Sequence, residues 1–357
     1  MNDSYLEVFR GKRVLVTGHT GFKGSWLTLL LNSLGAEVMG YALPPEHEQC
    51  HFSRLGLDRV IHHVIADIRD ADRLLAEVSA FQPQIVFHLA AQALVRPSYI
   101  DPKTTFDVNF GGGINLLEAV RQCDSIRALV FITSDKCYEN LEWIWGYRES
   151  DAMGGHDPYS ASKGAIELAF SSYLRSFFAQ RKSFGAATAR AGNVIGGGDW
   201  ATDRIIPDCI RALQSGEPIV IRSPRATRPW QHVLEPLSGY LKLAASLYEY
   251  GHVFDGAWNF GPPVGDVRTV LDVANAISMQ FKDCRVLVDE PVQKPHEAHL
   301  LQLNSDKARQ LLQWSTRWEF DRTVAATGGW YKDVLIEGKP AIEVSRDQIS
   351  QYYGGQL

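Results

Sequence analysis

The chain has 357 residues, of which 45% are hydrophobic and 22% are charged. This composition is typical of globular proteins and excludes a disordered or fibrous chain, and the length predicts two domains or one large α/β unit. With 36 basic and 41 acidic residues, the formal net charge of −5 provides no general attraction to nucleic acid or to an anionic membrane.

The N-terminal residues are charged and lack the apolar stretch of a signal peptide. The longest uncharged apolar stretch, 24–36, is too short for a membrane span. The five cysteines are scattered without a CxxC pair, which argues against a disulfide framework and against a zinc site. We therefore predict a cytoplasmic protein that binds no metal, no nucleic acid and no membrane.

In chain order, short β-branched runs alternate with helical stretches through the first half of the chain. The predicted strands are 13–17, 37–43, 62–66, 85–89, 128–133 and 186–190, and the predicted helices are 24–34, 109–123 and 158–181. Strands that alternate with helices form a parallel sheet through right-handed crossovers. The first half is therefore predicted to be a doubly wound α/β domain with a Rossmann sheet.

After Asn193 the pattern changes, because three glycines (196–198) and many prolines separate shorter elements. The stretch 257–260 is predicted to return to the main sheet. We expect a Rossmann domain of residues 1–195 plus about 230–262, and a smaller, interleaved ligand-binding lobe of about 196–229 plus 263–350.

The strongest local motif is a glycine triplet between the first strand and the first helix. Gly18, Gly21 and Gly24 form a GxxGxxG pattern there. Such glycines allow a tight turn and a close approach of the backbone to a pyrophosphate at the helix N-terminus. The position between strand and helix favours a dinucleotide-binding loop over a simple tight turn.

An acidic residue that would hold the ribose of NAD is expected about 20 positions further on. The second strand runs instead into Tyr41-Ala42-Leu43-Pro44, and the first acid is Glu46. Asp67, after the third strand, is a candidate partner for the adenine amino group, although a solvated loop aspartate is also compatible with the pattern. We expect this missing acid, together with His19 and Lys23 in the glycine loop, to weaken NAD binding.

Tyr159 and Lys163 share one face of the predicted helix 158–181, because they are four residues apart. An ammonium group beside a phenol favours the phenolate, so the pKa of Tyr159 should fall toward neutrality. This pair predicts a general base that removes a proton from a substrate alcohol.

Ser134, Asp135 and Lys136 follow the strand 128–133. Ligands of open α/β sheets bind outside the carboxyl ends of the strands, so these three residues are candidates for proton transfer. Taken by itself, this tripeptide can also be interpreted as a surface turn with a solvated ion pair.

Taken together, these motifs resemble the extended short-chain dehydrogenase/reductase family. The matching segments are the glycine triplet, Asp67-Ile68, 88–92, Asn109, 133–136, 159–163, 190–193 and 258–261, so the resemblance spans nearly the whole chain. Within the sugar-nucleotide branch of this family, the chain is most similar to the nucleotide-sugar 4,6-dehydratases.

The resemblance implies NAD as the cofactor and a nucleotide sugar as the substrate. The implied cofactor-binding residues are Gly18, Thr20, Gly21, Phe22, Lys23, Gly24, Asp67, Ile68, Leu89, Ala90, Ala91, Asn109, Tyr159 and Lys163. The implied substrate-binding residues are Gln92, Ser98, Asn193, Arg204 and Arg228. Lysine at position 136, where relatives usually carry glutamate, and the lack of arginine in 295–298 point to CDP-glucose as the substrate.

The resemblance also implies that Ser134, Asp135, Lys136, Tyr159 and Lys163 are catalytic. Tyr159 would take the 4-hydroxyl proton as C4 is oxidised. Asp135 would then protonate the departing 6-hydroxyl, and C6 would be reduced, giving a 4-keto-6-deoxy sugar for cell-surface polysaccharide. Lys136 is either the base at C5 or a cation that stabilises the enolate, and the residues do not decide between these roles.

Three other functions compete with this one. A dTDP-glucose 4,6-dehydratase would share the mechanism, whereas a UDP-sugar 4-epimerase would leave Asp135 and Lys136 without a task. A catalytically silent dinucleotide-binding regulator is the third, and the intact Tyr159/Lys163 pair speaks against it. The helices 109–123 and 158–181 are expected to pair across a two-fold axis into a four-helix bundle, giving a homodimer or a dimer of dimers.

Overall fold

The computed structural model describes residues 3–355 apart from 264, 266, 282–283 and 290–299. Its strands are β1 (Arg13–Thr17), β2 (Glu37–Ala42), β3 (His62–Ile65), β4 (Ile85–His88), β5 (Ala128–Ile132), β6 (Gly185–Ala191), β7 (Val194–Ile195), β8 (Ile219–Ile221), β9 (Thr227–Arg228), β10 (Gln231–His232), β11 (Gly256–Phe260), β12 (Arg268–Thr269) and β13 (Val286–Val288). Its helices are α1 (Phe22–Ser33), α2 (His51–Leu55), α3 (Ala71–Phe81), α4 (Val95–Ile100), α5 (Pro102–Phe106), α6 (Gly112–Gln122), α7 (Pro158–Ser176), α8 (Ile205–Ser215), α9 (Leu234–Tyr250), α10 (Val270–Ser278), α11 (Asp306–Leu311), α12 (Phe320–Tyr331) and α13 (Ala341–Tyr352).

The central sheet, within the described residues, has seven parallel strands in the order β3-β2-β1-β4-β5-β6-β11. The strand order reverses between β1 and β4, and in sheets of this kind ligands bind at that point, beyond the carboxyl ends. The prediction of a doubly wound Rossmann sheet is therefore confirmed.

Two apolar cores cover the two faces of this sheet. Alternate residues of one strand point to opposite faces, so Val14 and Val16 of β1 lie in one core and Leu15 lies in the other. The first core includes α1, α9 and the C-terminal helices, and the second includes α3, α6 and α7. Burial on both faces explains why the strands read as continuous apolar runs.

The remaining strands form three two-stranded sheets beyond the main sheet. β7 pairs with β10 and β8 with β13, both in parallel, and β9 pairs antiparallel with β12. β11 lies at the edge of the main sheet beside β6, as predicted for 257–260. Across the part of the chain that the structure describes, every helix is too short or too polar to span a membrane.

Several elements differ from the prediction. The helix expected at 109–123 starts earlier, at Pro102, and passes through a π-helical turn (Asp107–Gly111) before α6. α7 ends at Ser176, five residues early, because Phe178 is buried in a following 3₁₀ turn.

Only three helices were predicted, and α3 and α9 are two of those that were missed. α3 buries Leu74 and Val78 and packs Leu75 and Phe81 against the same core, an amphipathic spacing that the sequence analysis overlooked. α9 contains Pro236 in its first turn, where proline is tolerated because its missing N–H has no partner within the helix.

Candidate active site

A deep cleft opens at the carboxyl ends of β1, β4, β5 and β6 and has a volume of about 1840 Å³. It separates the central sheet from the segment that carries β7–β10 and α8. The residues along it that were predicted from the sequence are Gly18, Thr20, Gly21, Phe22, Lys23, Gly24, Asp67, Ile68, Leu89, Ala90, Ala91, Gln92, Ser134, Asp135, Lys136, Tyr159, Lys163, Asn193, Arg204 and Arg228. The fold thus brings most of the proposed cofactor, substrate and catalytic residues to one place.

The glycine loop joins β1 to the N-terminus of α1 in a shape that side chains would block. Gly18 has φ +74°, and a Cβ at this position would lie 2.7 Å from the backbone nitrogen of Ala90. A Cβ on Gly24 would lie 2.1 Å from the carbonyl oxygen of Gly18. The loop therefore packs backbone against backbone and leaves the first N–H groups of α1 facing the cleft, which suits the pyrophosphate of a dinucleotide.

Two residues predicted to bind ligands are turned away from this cleft. Asn109 is buried in the π-helical turn, where its amide nitrogen donates to the carbonyl of Gln92 (3.0 Å) and to Ser162 Oγ (2.9 Å). Ser98 is also buried, and its hydroxyl donates to the carbonyl of Val95 (2.6 Å). Both side chains hold the wall of the cleft together instead of lining it.

His19, despite its place in the glycine loop, does not face the cleft either. Its Nε2 lies 2.7 Å from Nδ1 of His63, and its ring contacts Phe52 edge-on. Burial and His63 lower the pKa of His19 to about 3. Gly40 of β2 lies against this ring, where a Cβ would come within 2.3 Å of it. His19 is therefore a neutral packing residue turned away from the cleft, and the expectation that it weakens NAD binding stays a prediction.

Asp67 lines the cleft and is paired with Arg69, a residue that the sequence analysis did not single out. The guanidinium group of Arg69 donates to both carboxylate oxygens, from Nη2 to Oδ2 (2.6 Å) and from Nε to Oδ1 (3.1 Å). This contact holds the pKa of Asp67 below its usual value. Arg69 therefore already uses part of the hydrogen-bonding capacity of the Asp67 carboxylate, and it adds a positive charge to this wall of the cleft.

The turn after β5 carries three of the residues predicted to be catalytic. The hydroxyl of Ser134 donates to Oδ1 of the buried Asp135 (2.9 Å) and accepts from the backbone N–H of Lys136 (3.2 Å). Lys136 is half-buried and lines the same cleft. Ser134 also lies close enough to Tyr159 on α7 to lower the pKa of its phenol.

The pKa of Tyr159 is raised to about 12, opposite to the predicted direction. Burial is the largest cause, and the nearby Asp135 carboxylate adds to it, while Ser134 and Arg204 lower the value in part. The prediction counted the ammonium group of Lys163 but not the loss of water around the phenol.

Three cations lie around the floor of the cleft. Burial lowers the pKa of Lys163 to about 8, although Glu167 opposes the shift. Burial and the neighbouring charges of Arg204 and Lys163 lower the pKa of Lys23 to about 8. Arg204 donates to the buried Asp199 (3.0 Å). The floor is thus positively charged and partly balanced by carboxylates, which suits a diphosphate.

Arg228 and Asn193 line the opposite wall of the cleft. Arg228 is buried and donates to the carbonyl of Thr227 (2.7 Å). The stretch 295–298, which the sequence analysis considered for recognition of the base, lies outside the described residues.

A buried ion pair beneath the catalytic residues was also missed by the sequence analysis. Glu167 and Arg190 are 3% and 1% exposed, and Nε of Arg190 lies 2.7 Å from Oε1 of Glu167. Arg190 also donates to the hydroxyl of Tyr138 (2.7 Å), which donates to Asn259 (2.8 Å). The signal was the YxxxKxxxE spacing, which places Glu167 one turn below Lys163 on the same face of α7.

Among the residues that the structure describes, no three His, Cys, Asp or Glu side chains are grouped as a metal site requires. All five cysteines are free thiols.

Comparisons with known proteins agree with this geometry. Residues 15–327 match the protein family described as GDP-mannose 4,6 dehydratase. The chain is 47% identical over 348 residues to the CDP-glucose 4,6-dehydratase of Salmonella typhimurium strain LT2, which covers 96% of this chain and 97% of that protein.

Solved structures share the fold. The epimerase Mth375 of Methanothermobacter thermautotrophicus superposes with a TM-score of 0.79 at 25% identity, covering 96% of each chain. The UDP-glucose 4-epimerase of Thermus thermophilus, solved in complex with NAD, gives a TM-score of 0.76 at 25% identity and covers 89% of this chain and 98% of its own.

Proposed function

The chain belongs to the GDP-mannose 4,6-dehydratase family, and from this premise we propose that it is an NAD-dependent hydro-lyase that converts CDP-glucose into CDP-4-keto-6-deoxyglucose. The observation that carries this proposal is the pairing of Asp135 with Ser134 in the cleft that holds Tyr159. Loss of water from C5 and C6 needs an acid for the departing hydroxyl, and a buried carboxyl group beside the base meets that need.

NAD fits the residues around the glycine loop. The glycines 18, 21 and 24 leave room for a pyrophosphate at the N-terminus of α1, and Asp67-Ile68 and 89–91 would flank the adenosine. When bound, NAD would supply the oxidant for C4 and the reductant for C6, so that no outside oxidant is consumed.

Tyr159 is the group that takes the 4-hydroxyl proton. Ser134 and the positive charge of Arg204 both lower the pKa of its phenol, and Lys163 lies one turn away on the same helix face. Because burial opposes ionisation of Tyr159 in the free protein, these groups and the bound ligands must together lower its pKa for the reaction.

Asp135 then protonates the departing 6-hydroxyl, since its carboxyl group lies in the cleft next to Ser134. Lys136 follows directly on the same turn and either removes the C5 proton or stabilises the enolate while another group takes that proton. C5 is reprotonated when C6 is reduced. Arg204 and Arg228 bind the diphosphate, Asn193 contacts the sugar and Gln92 lines the opposite wall.

The assembly and compartment are part of the same proposal. Phe106, Phe110 and Leu168 are exposed on the helices that pack together as α5–α6 and α7, which supports a homodimer through a four-helix bundle. The free thiols support the cytoplasm as the compartment. We retain the two lobes proposed above, 1–195 with about 230–262 and about 196–229 with 263–350.

The test is incubation of the purified protein with NAD and, separately, CDP-, dTDP-, UDP- and GDP-linked glucose, read by mass spectrometry. Loss of one water from CDP-glucose alone is the expected result. Loss of water from dTDP-glucose alone would overturn the base assignment. An unchanged mass with an inverted C4 centre by NMR would show a 4-epimerase instead.

A further inference from the structure

Helix α7 presents three ionisable side chains at intervals of four residues: Tyr159, Lys163 and Glu167. This spacing puts them on one face of the helix, one turn below another. The first two line the cleft, whereas Glu167 lies beneath it and is buried. The proposed chemistry assigns no task to Glu167.

The carboxylate of Glu167 is held by four donors. Arg190 on β6 donates to both of its oxygens, through Nε (2.7 Å) and Nη2 (2.8 Å). Thr133, just after β5, donates to Oε1 (2.5 Å), and Thr188 on β6 donates to Oε2 (2.8 Å). A buried carboxylate with charged and neutral donors on both oxygens has one fixed orientation.

Thr133 is the residue immediately before Ser134. Its backbone N–H donates to the carbonyl of Ala189 on β6 (3.0 Å), so its main chain continues the sheet while its side chain bonds α7. Ser134 follows in an extended conformation, and the turn Asp135–Cys137 begins directly after it. The position of the Ser134 hydroxyl therefore depends on how Thr133 is held.

A second contact fixes the same turn against the same helix. A Cβ on Gly164, the neighbour of Lys163, would lie 3.2 Å from the carbonyl oxygen of Cys137. Turn and helix thus approach each other closely at this point. The Thr133–Glu167 bond lies below this point, and Ser134 lies beside Tyr159 above it, so the turn follows α7 along its cleft-facing side.

We propose that Thr133 and Glu167 are positioning residues that set the distance between Ser134 on the β5 turn and Tyr159 on α7. Arg190 neutralises the buried carboxylate and holds its plane. Thr188 makes an equivalent hydrogen bond on β6, but no catalytic residue adjoins it. The inference rests on the proposed function for the roles of Ser134 and Tyr159 and for the choice of substrate in the assay.

Substitution of Glu167 is a poor test, because it leaves a buried Arg190 without its partner and so strongly destabilises the fold. The two threonines provide a matched pair instead. Thr133→Val and Thr188→Val each remove one hydroxyl bonded to the same carboxylate and keep the shape of the side chain. Both should lower the midpoint of thermal unfolding by a similar few degrees, because each loses one buried hydrogen bond.

Their catalytic effects should differ. Thr133→Val is expected to lower kcat by about tenfold or more with little change in KM, since small displacements of reacting groups cost large factors in rate. The acidic limb of its pH–kcat profile should move to higher pH, because a weaker bond from Ser134 leaves the pKa of Tyr159 higher. Thr188→Val should keep the wild-type kcat within about twofold and the wild-type profile. Thr133→Ser should restore both the wild-type kcat and the wild-type pH profile.

Equal losses of kcat in the two valine variants, or a Thr133→Val enzyme with normal kcat and lowered stability, would overturn the proposal. The assay uses whichever nucleotide sugar the wild-type protein dehydrates. Failure of CDP-glucose as a substrate would therefore reject the proposed function without touching the comparison between the variants. If the wild type dehydrates none of the four sugars, the measurement of kcat is replaced by urea unfolding with and without NAD. Binding of NAD depends on the same contact between helix and turn, because Tyr159 and Lys163 of α7 are implied cofactor residues. NAD should then stabilise Thr133→Val less than Thr188→Val, and equal stabilisation would overturn the proposal.

Discussion

The hydroxyl of Ser134 donates its hydrogen to Asp135 at 2.9 Å and also contacts Tyr159. A hydroxyl has one hydrogen to give, so Ser134 cannot donate to both residues at the same time. To stabilise a phenolate at Tyr159, Ser134 must turn its hydrogen away from Asp135, and it does so readily once Asp135 is protonated. The base and the acid of the proposed reaction are therefore coupled through one hydroxyl.

Asp135→Asn removes the acid and keeps the shape of its side chain. Dehydration of CDP-glucose should fall by about two to four orders of magnitude, the usual contribution of a positioned acid, because an amide cannot protonate the 6-hydroxyl. Oxidation at C4 should survive, so the absorbance of reduced nicotinamide should rise and persist when substrate is added. Asp203→Asn, at the exposed rim of the cleft, is the control. A variant at 135 that loses water at the wild-type rate would contradict the role of Asp135.

Gly24→Ala should prevent formation of the glycine loop. Alanine normally stabilises a helix by up to about 1 kcal/mol relative to glycine. At Gly24, however, the new Cβ would lie 2.1 Å from the carbonyl oxygen of Gly18, so we expect a lowered unfolding midpoint and no measurable binding of NAD. Gly329→Ala in α12 is the matched control, because nothing lies within 4 Å of its Cβ position. Calorimetry on both variants checks this, and equal midpoints would contradict it.

Stability should fall as the pH drops below about 6.5. Burial lowers the pKa of His51, His88 and His232 to about 3, whereas the unfolded chain has the ordinary value near 6.5. The unfolded state therefore binds protons that the folded state does not bind. This lowers the free energy of unfolding by up to about 1.4 kcal/mol per histidine and pH unit. Urea unfolding at about pH 7.5 and about pH 5.5 measures the difference.

Glu235 has the opposite effect on the pH dependence, because burial raises its pKa from 4.5 to about 7. Its contribution to the free energy of unfolding is lost as the pH rises through that value. His51→Gln should reduce the loss of stability on acidification, because glutamine does not titrate. A variant whose urea midpoint declines as steeply as that of the wild type would show that other groups cause the acid sensitivity.

Lys23→Met should tighten the binding of NAD several-fold. Lys23 shares the cleft floor with Lys163 and Arg204, and a third cation there disfavours the positive nicotinamide ring. Isothermal calorimetry at two ionic strengths tests the cause, because the gain should shrink as salt screens the charges. Weaker binding of NAD by the variant would instead show that Lys23 binds the pyrophosphate of the cofactor.

The sequence was sufficient where one residue type is required by backbone geometry or by spacing. Gly18 and Gly24 were recognised because only glycine fits that loop, and Tyr159 with Lys163 because four residues make one helical turn. Asn109 and Ser98 match family motifs, but sequence cannot show that their side chains hydrogen-bond inside the wall. Glu167 was missed because a glutamate in a helix ordinarily lies at the surface, and its partners are far away in the chain.

The return of the chain to the main sheet has a consequence for dissection of the protein. β6 ends at Ala191, and its outer neighbour β11 begins only at Gly256, after α9 has packed across β5 and β6. A fragment that stops at residue 195 would lack α9 and expose both the edge of β6 and the apolar face that α9 covers. Residues 1–195 are therefore not expected to fold as an independent unit, and truncation or domain exchange at that boundary should yield insoluble protein.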